Sequence, residues 1–580
     1  MKAVLHISRQ GDAAAEAAPP AMAHEPLNGD AGGESLGQTS HGAPTGMFSN
    51  SPLHQAMGLY LPATVAFRLI NFFRIILLTW FMTQQQFGLL TMILAVMNVM
   101  TPLCSLGLNE AVTRYVPQHE KQGTLLAFVR KSFLLLGAIT MISVGVICIF
   151  AQPLGDFFYA QFTDPEVRRL FSADAPELAR LSAVVTALLI VYFYLLAVFK
   201  GLRMFTALSV MEMAHGLLFL ALSIVAIVTG HLSAFTLTAV YGISLALPIT
   251  WFGFGFVRTI GRWHGQHELT EEGGFARRLL KFSVWTTLAG ITWQVLVYYP
   301  AWYLNKIQGQ EAVAVFNAVR QIGQFVLIGA VAVVTVVMTI VTKTWENRGR
   351  EAAQRQLSLA FRGTGLALFV FCAMLALAKD YIILMFRVEY ADGAAILPIH
   401  LLFFLMGAYL AFLPIHFHLI EKTRHMFWPW AAGVAANVLY AFWLAGPHQA
   451  RVMRTAGWQW AAGHASWFFT TGFSGPRGLD SAAWCGVLAI ATSLALCVWL
   501  IQAECTRLDR GTFIVLGAAC LLALSPLLLT VGTVLVLLVA WKTELVFSAD
   551  ERQRINGYIL ESLRHVPPLR AMGRWRNGRT

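Results

Sequence analysis

The chain has 580 residues, of which 57% are hydrophobic and only 12% are charged. This composition lies outside the range of a soluble globular domain and leaves little sequence for a separate catalytic domain. The net charge of +12 fits the basic segments that flank membrane spans on one side of a membrane, so a nucleic-acid partner is not expected.

Fourteen apolar stretches follow one another along the chain. A helix that crosses the membrane needs roughly 20 mostly apolar residues. The predicted spans are 57–81, 88–106, 127–150, 178–199, 208–229, 233–257, 279–303, 312–341, 359–378, 394–419, 426–445, 482–502, 512–525 and 527–547. We therefore predict an all-α integral membrane protein with about 14 transmembrane helices.

The order of the spans predicts the domain organisation. Six spans, a basic linker and six more spans indicate two six-helix lobes with pseudo-two-fold symmetry, followed by two C-terminal helices. The predicted regions are a disordered N-terminal tail (1–54), an N-lobe (55–265), a C-lobe (266–502) with an outer-side insertion (446–481), two further spans (503–548) and a basic tail (549–580). Most Lys and Arg residues then fall on the side of the two termini, which the positive-inside rule assigns to the cytoplasm.

Two segments and the cysteines carry further expectations. The insertion bears Trp458, Trp460 and Trp467, aromatic residues that usually rest at a membrane interface. The basic tail predicts an amphipathic helix on anionic lipids, with Ile555 and Ile559 on its apolar face. The seven cysteines show no metal-binding spacing, and neither a metal nor another cofactor is predicted.

Four spans carry polar residues along one face. Span one places Arg68, Asn71 and Arg74 on one side, and span eight carries a polar stripe that begins at Asn317. An arginine near the bilayer centre costs about 2.5–3.5 kcal/mol on insertion scales, which favours a hydrated cavity around these faces. The alternative is that Arg74 reaches the interface and that the amide stripes only join helices. The candidate cavity residues are Arg68, Asn71, Arg74, Asn98, Thr101, Gln294, Asn317, Arg320, Gln321 and Gln324.

The fifth span contains an acid and a histidine. Glu212 and His215 are three residues apart and therefore lie on one helix face, a spacing that suits a proton relay. The alternative is a structural contact near a helix end.

Several short motifs resemble a known family when their order and spacing are taken together. They are residues 86–89 (QFGL), 106–117 (LGLNEAVTRYVP), 388–395 (VEYADGAA), 478–484 (GLDSAAW) and 550–552 (DER). In this order the chain resembles polysaccharide flippases of the O-antigen (Wzx-like) type. These belong to the multidrug/oligosaccharidyl-lipid/polysaccharide (MOP, MATE-like) exporter superfamily. The resemblance covers about residues 55–555.

The resemblance implies a function and a partner. Such proteins carry lipid-linked oligosaccharides from the inner to the outer leaflet of the bacterial plasma membrane by alternating access, without covalent chemistry. Arg68 and Arg320 would then hold the pyrophosphate of an undecaprenyl-linked substrate, and the amides would meet sugar hydroxyls. The chain lacks an acidic residue near 297–302 and a proline near 338–341 that many members have, which leaves the driving ion open.

Three other functions remain alternatives. A multidrug or cation exporter of the same superfamily would share the fold, but cation binding favours buried carboxylates over arginine. A polyprenol-dependent glycosyltransferase or ligase usually needs an acidic pair in the first outer loop, and residues 82–87 contain no acid. A non-transporting scaffold would leave the buried arginines without a role. A polysaccharide polymerase or glycosyltransferases are further candidate partners.

Overall fold

The structure is a computed structural model that describes residues 53–158, 165–263, 274–420, 422, 424–445, 479–504, 508–553 and 556. Within these residues the chain forms helices joined by short turns and contains no β-strand. The all-α class is therefore confirmed. The predicted insertion and nearly all of the two predicted tails lie outside the described residues.

The helices follow the hydrophobic stretches closely. They are α1 Leu53–Phe81, α2 Gln84–Ser105, α3 Leu108–Lys121, α4 Leu125–Ile149, α5 Ala151–Phe158, α6 Pro165–Gly201, α7 Phe205–Val228, α8 Ala234–Trp263, α9 Phe275–Gln308, α10 Gln310–Arg348, α11 Arg350–Leu377, α12 Lys379–Ile383, α13 Gly393–Phe412, α14 Ile415–Leu419, α15 Arg424–Ala445, α16 Leu479–Glu504, α17 Arg510–Ala518 and α18 Pro526–Lys542. Single-turn 3₁₀ helices lie at Val388–Tyr390 and Ala519–Ala523.

The described residues contain 10 stretches that are long and apolar enough to cross a membrane. Two shorter apolar stretches, Arg510–Ala523 and Pro526–Lys542, cover the last two predicted spans. Helices α9 and α15 cover predicted spans seven and eleven. The protein is a multi-pass membrane protein, and the exact number of 14 crossings stays a prediction.

Local sequence explains where the helices differ from the predicted spans. The stretch 394–419 forms two helices, because Pro414 has no N–H to continue the ladder of α13 and the chain restarts at Ile415. Between α2 and α3, Leu106 and Gly107 adopt left-handed conformations with φ of 46° and 64°. This turn redirects the chain into α3, an amphipathic helix that the hydropathy pattern did not predict as an element.

The helices pack as two sets that meet in the middle. In the N-terminal set, α1 packs on α7, and α6 packs on α3, α4 and α8. In the C-terminal set, α10 packs on α13, while α15 packs on α9 and α16. The sets meet where α2 contacts α9 and α10 and where α1 contacts α10. Helices one and two of each half therefore line the boundary, whereas the predicted lobe limits stay a prediction.

The turn between α1 and α2 lies tightly against the C-terminal set. The indole Nε1 of Trp80 donates to the carbonyl oxygen of Met385 over 2.9 Å, and Gln84 Nε2 donates to the carbonyl oxygen of Glu389 over 2.6 Å. A Cβ on Gly88 would lie 1.9 Å from the carbonyl oxygen of Gln310, so only glycine allows this approach. We call this group of contacts the α1–α2 seam.

Candidate functional site

Arg320 is buried and has no acidic partner among the described ion pairs. Its side chain is on α10, the residue is 4% exposed, and its Cζ lies 4.2 Å from the ring centroid of Tyr298. Its electrostatic neighbours are Tyr298 and His400, neither of which is an acidic residue. Among the described residues, its Nε and Nη1 have no hydrogen-bond partner. The fold therefore holds a buried cation with unused donors.

Arg74 makes a similar arrangement within the N-terminal set. It is 8% exposed, and its Cζ lies 3.8 Å from the ring centroid of Phe219 on α7. Its electrostatic neighbours are Tyr241 on α8 and His215 on α7. Nε of Arg74 likewise finds no acceptor in the described part of the chain. Cation–π contact contributes about 0.5–2 kcal/mol, which offsets only part of the cost of burying such a charge.

The two arginines belong to one electrostatic region. The phenol of Tyr241 lies within electrostatic range of Arg74 and Arg68, and also of Tyr298 beneath Arg320. Because Tyr241 is on α8 and Tyr298 is on α9, the region spans both helix sets. Cationic groups from the two sets are thus linked electrostatically through Tyr241 and Tyr298, while a cavity lined by these arginines stays a prediction.

Arg68 is the exposed member of this region. It lies one helical turn before Phe72, whose ring meets Phe325 of α10 edge-on at 5.3 Å. Glu212 is half-buried and interacts electrostatically with Arg68 and Lys200. The helix sets therefore touch at Phe72, while one turn away Arg68 remains accessible.

The two residues of the predicted proton relay, Glu212 and His215, interact with different residues. His215 is buried, and its Nδ1 lies 3.2 Å from both the carbonyl oxygen and the hydroxyl oxygen of Ser244. Glu212 instead has the basic neighbours Arg68 and Lys200. Proton coupling through Glu212 and His215 stays a prediction.

The amide and hydroxyl residues divide into two groups. The side chains of Asn71, Asn98 and Thr101 donate to the carbonyl oxygens of their own helices, over 2.9, 2.8 and 2.7 Å. Asn317 differs, because its Nδ2 donates to Thr91 Oγ1 over 3.1 Å and so joins α10 to α2. The remaining candidates, Gln294, Gln321 and Gln324, are half-buried. A role for these side chains in substrate binding stays a prediction.

Sequence reasoning left several central residues outside the candidate set. Tyr298 lies one helical turn after the candidate Gln294, on the same face of span seven. That position was a signal that could have added Tyr298 to the candidate set. His400 is the one histidine of the apolar helix α13, and an ionisable residue within an apolar span marks a candidate functional residue. Phe219 and Tyr241 carry no such signal, because an aromatic residue in a span is ordinarily packing.

The fold and a family profile relate the chain to known proteins. The helices share the fold of solved MATE transporters and of the lipid II flippase MurJ, and a cationic region lies at the boundary of the two helix sets. The sequence profile described as polysaccharide biosynthesis protein matches residues 54–345. The chain belongs to this polysaccharide biosynthesis family.

Solved structures with the same fold are distant in sequence. The inward closed conformation of the lipid II flippase MurJ has 14% identity and a TM-score of 0.55, covering 83% of this chain and 97% of that chain. An inward-facing multidrug resistance MATE transporter of the MOP superfamily has 12% identity and a TM-score of 0.55. The match covers 75% of this chain and 95% of that chain. A third structure is a MOP superfamily transporter from Pyrococcus furiosus, described as having a binding pocket of reverse polarity. It has 12% identity and a TM-score of 0.51, and the match covers 78% of this chain and 95% of that chain. No curated protein matches the chain by sequence.

Proposed function

We propose that this protein is a flippase for lipid-linked oligosaccharide or polysaccharide precursors, which it moves from the inner to the outer leaflet by alternating access. The observation that carries the proposal is the pair of buried guanidinium groups, Arg74 and Arg320, neither of which contacts a carboxylate among the described ion pairs. Guanidinium binds phosphate oxygens in pairs and stays charged at any physiological pH. The phosphate or pyrophosphate of a polyprenyl carrier such as undecaprenol is the ligand that this chemistry favours.

Arg68 extends the proposed site toward the point of entry. A substrate phosphate would meet this exposed cation first and then pass to the buried pair. The half-buried amides Gln294, Gln321 and Gln324 belong to α9 and α10, two helices that contact α2 at the boundary, and would meet sugar hydroxyls. Membership of a polysaccharide biosynthesis family supports a saccharide as the cargo.

The charge of the site argues against export of cations. A cationic drug would have to displace or lie beside two buried guanidinium groups, and like charges in a low-dielectric interior repel strongly. An anionic ligand instead supplies the acceptors that Arg320 Nε and Nη1 lack among the described residues. The proposal includes a bacterial inner-membrane location with both termini in the cytoplasm, on the basis of the basic loops.

The leaflet position of lipid-linked oligosaccharides in cells lacking this protein tests the proposal. A membrane-impermeant probe labels the oligosaccharides exposed in the outer leaflet. We expect complete intermediates to accumulate unlabelled on the cytoplasmic side. Normal arrival in the outer leaflet followed by failed elongation would instead assign a transferase role, and unchanged lipids with lost dye efflux would assign a drug exporter.

A further inference from the structure

An apolar cavity lies at the boundary of the two helix sets, beside the cationic region. Its volume is about 260 Å³, and its walls come from α2 and α5 of the N-terminal set and from α9 of the C-terminal set. None of the described residues that line it is charged. The principal ones are Met92, Val96, Met100, Phe158, Tyr298 and Trp302. Such a lining suits a hydrocarbon and offers little to a sugar or an ion.

The apolar space continues into the N-terminal set. A second cavity of about 30 Å³ shares Val96, Met100 and Phe158 with the first and extends between α4 and α6. At the opposite side, an aromatic group surrounds the larger cavity, with ring centroids 5.3 Å apart for Phe157 and Trp302. Phe157 is exposed, so the cavity is reached from the surface of the bundle. The cavity is therefore a short groove that opens at the surface of the bundle beside Phe157.

Tyr298 forms a wall of the cavity and also the platform of Arg320. Its ring lines the apolar space, and the guanidinium of Arg320 lies 4.2 Å from its centroid. A single aromatic ring therefore lies against both the hydrocarbon-lined cavity and the buried cation. A ligand with a phosphate at Arg320 has an apolar cavity immediately beside that phosphate.

We propose that this cavity binds the isoprene units nearest the phosphate in the lipid carrier of the transported substrate. In a polyprenyl diphosphate the hydrocarbon is joined directly to a phosphate oxygen. This arrangement matches the site, where the ring of Tyr298 lies against both the cation of Arg320 and the apolar cavity. In a glycerophospholipid a polar glycerol ester separates the phosphate from the acyl chains and would lie against a wall without charged groups. The methionines Met92 and Met100 suit a branched chain, because their flexible thioethers fill irregular spaces. This inference rests on the proposed function.

Photo-crosslinking tests the occupant directly. The purified full-length protein in lipid nanodiscs is mixed with a polyprenyl diphosphate that carries a diazirine in the isoprene unit nearest the diphosphate. We expect adducts on Met92, Met100 or Trp302, removed by unlabelled polyprenyl diphosphate and not by phosphatidylglycerol. Adducts confined to lipid-facing residues such as Met141 and Ile142, which are 71% and 69% exposed, would overturn the inference. Equal competition by phosphatidylglycerol would also overturn it, since the cavity would then hold bulk lipid.

A cavity-filling variant separates this inference from the proposed function. Val99 lines the cavity, so Val99→Trp is expected to lower the affinity for polyprenyl diphosphate at least tenfold while leaving the affinity for methyl diphosphate, which has no chain, unchanged. Val146→Trp, at an exposed position of α4, is the matched control. Unchanged polyprenyl diphosphate affinity in Val99→Trp would overturn the inference alone. Failure of the wild type to bind either diphosphate would overturn the proposed function and the inference with it.

Discussion

Among the residues that the structure describes, buried arginines occur in two regions, and their surroundings differ. At the junction of α11 with the C-terminal segment, Arg362 donates from Nη2 to Glu551 Oε1 over 2.7 Å and from Nη1 to the carbonyl oxygen of Val546, and its Nε lies 3.7 Å from Asp509 Oδ2. In the central region, Arg74 and Arg320 rest on aromatic rings and have no carboxylate among the described ion pairs.

The difference indicates what each region does. A buried cation whose donors are used by the protein itself holds segments together, and removing it leaves buried acceptors unpaired. A buried cation with unused donors lowers stability, and such a cost persists where a ligand supplies the missing acceptors. Arg362 is therefore expected to stabilise the fold, and Arg320 and Arg74 to bind substrate.

The largest effect is expected from Arg320→Met. Loss of charge-assisted hydrogen bonds to phosphate, at about 1.5–3 kcal/mol each, lowers translocation by roughly 10- to 150-fold or more. The thermal unfolding temperature of the substrate-free protein should stay equal or rise, because an unpaired buried charge is removed. Both are measured on purified protein, with a reconstituted flipping assay and thermal denaturation. Arg258→Met, at an exposed arginine of α8, is the control, and a large drop in stability of Arg320→Met would contradict the comparison.

The opposite result is expected from Arg362→Met. Removing this guanidinium costs about 1–3 kcal/mol, because the partly buried Glu551 and the carbonyl oxygen of Val546 lose their donor. Denaturation of the variant should occur at a lower temperature, while the folded fraction keeps its affinity for a polyprenyl diphosphate. Wild-type stability in this variant would remove the distinction between the two regions.

An intermediate effect is expected from Gly88→Ala at the α1–α2 seam. The added Cβ would lie 1.9 Å from the backbone oxygen of Gln310, which cannot move aside as a side chain can. Alternating access, as proposed, requires the two helix sets to separate at this seam in one conformation. An overpacking cost of about 1–3 kcal/mol therefore lowers the population of the conformation with a closed seam roughly 5- to 150-fold. Spin labels at Phe81 and Val388, both exposed, should report a longer mean distance. Gly137→Ala in α4, where a Cβ meets nothing within 4 Å, should leave the distance unchanged, and an unchanged distance in Gly88→Ala would contradict the role of the seam.

The smallest effect is expected from Phe219→Leu, which removes the ring beneath Arg74. Loss of a cation–π contact worth about 0.5–2 kcal/mol should lower the affinity for a polyprenyl diphosphate by roughly 2- to 30-fold. Phe252→Leu in α8, a buried phenylalanine that packs on Phe199, controls for lost packing. If both variants bound equally well, Arg74 would not depend on its aromatic platform.

Much of the fold could be read from hydropathy, because lipid requires helices whose backbone groups are paired internally. The turn at Leu106 and Gly107 could not, since it depends on the close approach of α9, where a Cβ on Gly107 would lie 2.1 Å from Thr287 Oγ1. Helices α3 and α5 were missed as elements because neither is an apolar stretch of spanning length. Hydropathy measures transfer into lipid and carries no information on such contacts.

In the candidate site, too, some features could be predicted from the sequence and others depend on tertiary packing. Periodicity placed Arg68, Arg74 and Arg320 on polar helix faces, and intramembrane arginine is rare enough to mark a site. Which side chain meets each arginine could not be predicted, because Phe219 lies far along the chain from Arg74 and only helix packing brings them together. Burial, too, follows from tertiary structure, which separates exposed Arg68 from buried Arg320.

The affinity of the purified protein for a polyprenyl diphosphate, compared with the uncharged polyprenol of the same length, tests the central claim most directly. If the buried arginines bind an anionic lipid, the wild type binds the diphosphate at least about tenfold more tightly, and Arg320→Met loses most of this preference. Equal binding of the two lipids by the wild type, or an undiminished preference in Arg320→Met, would contradict the account.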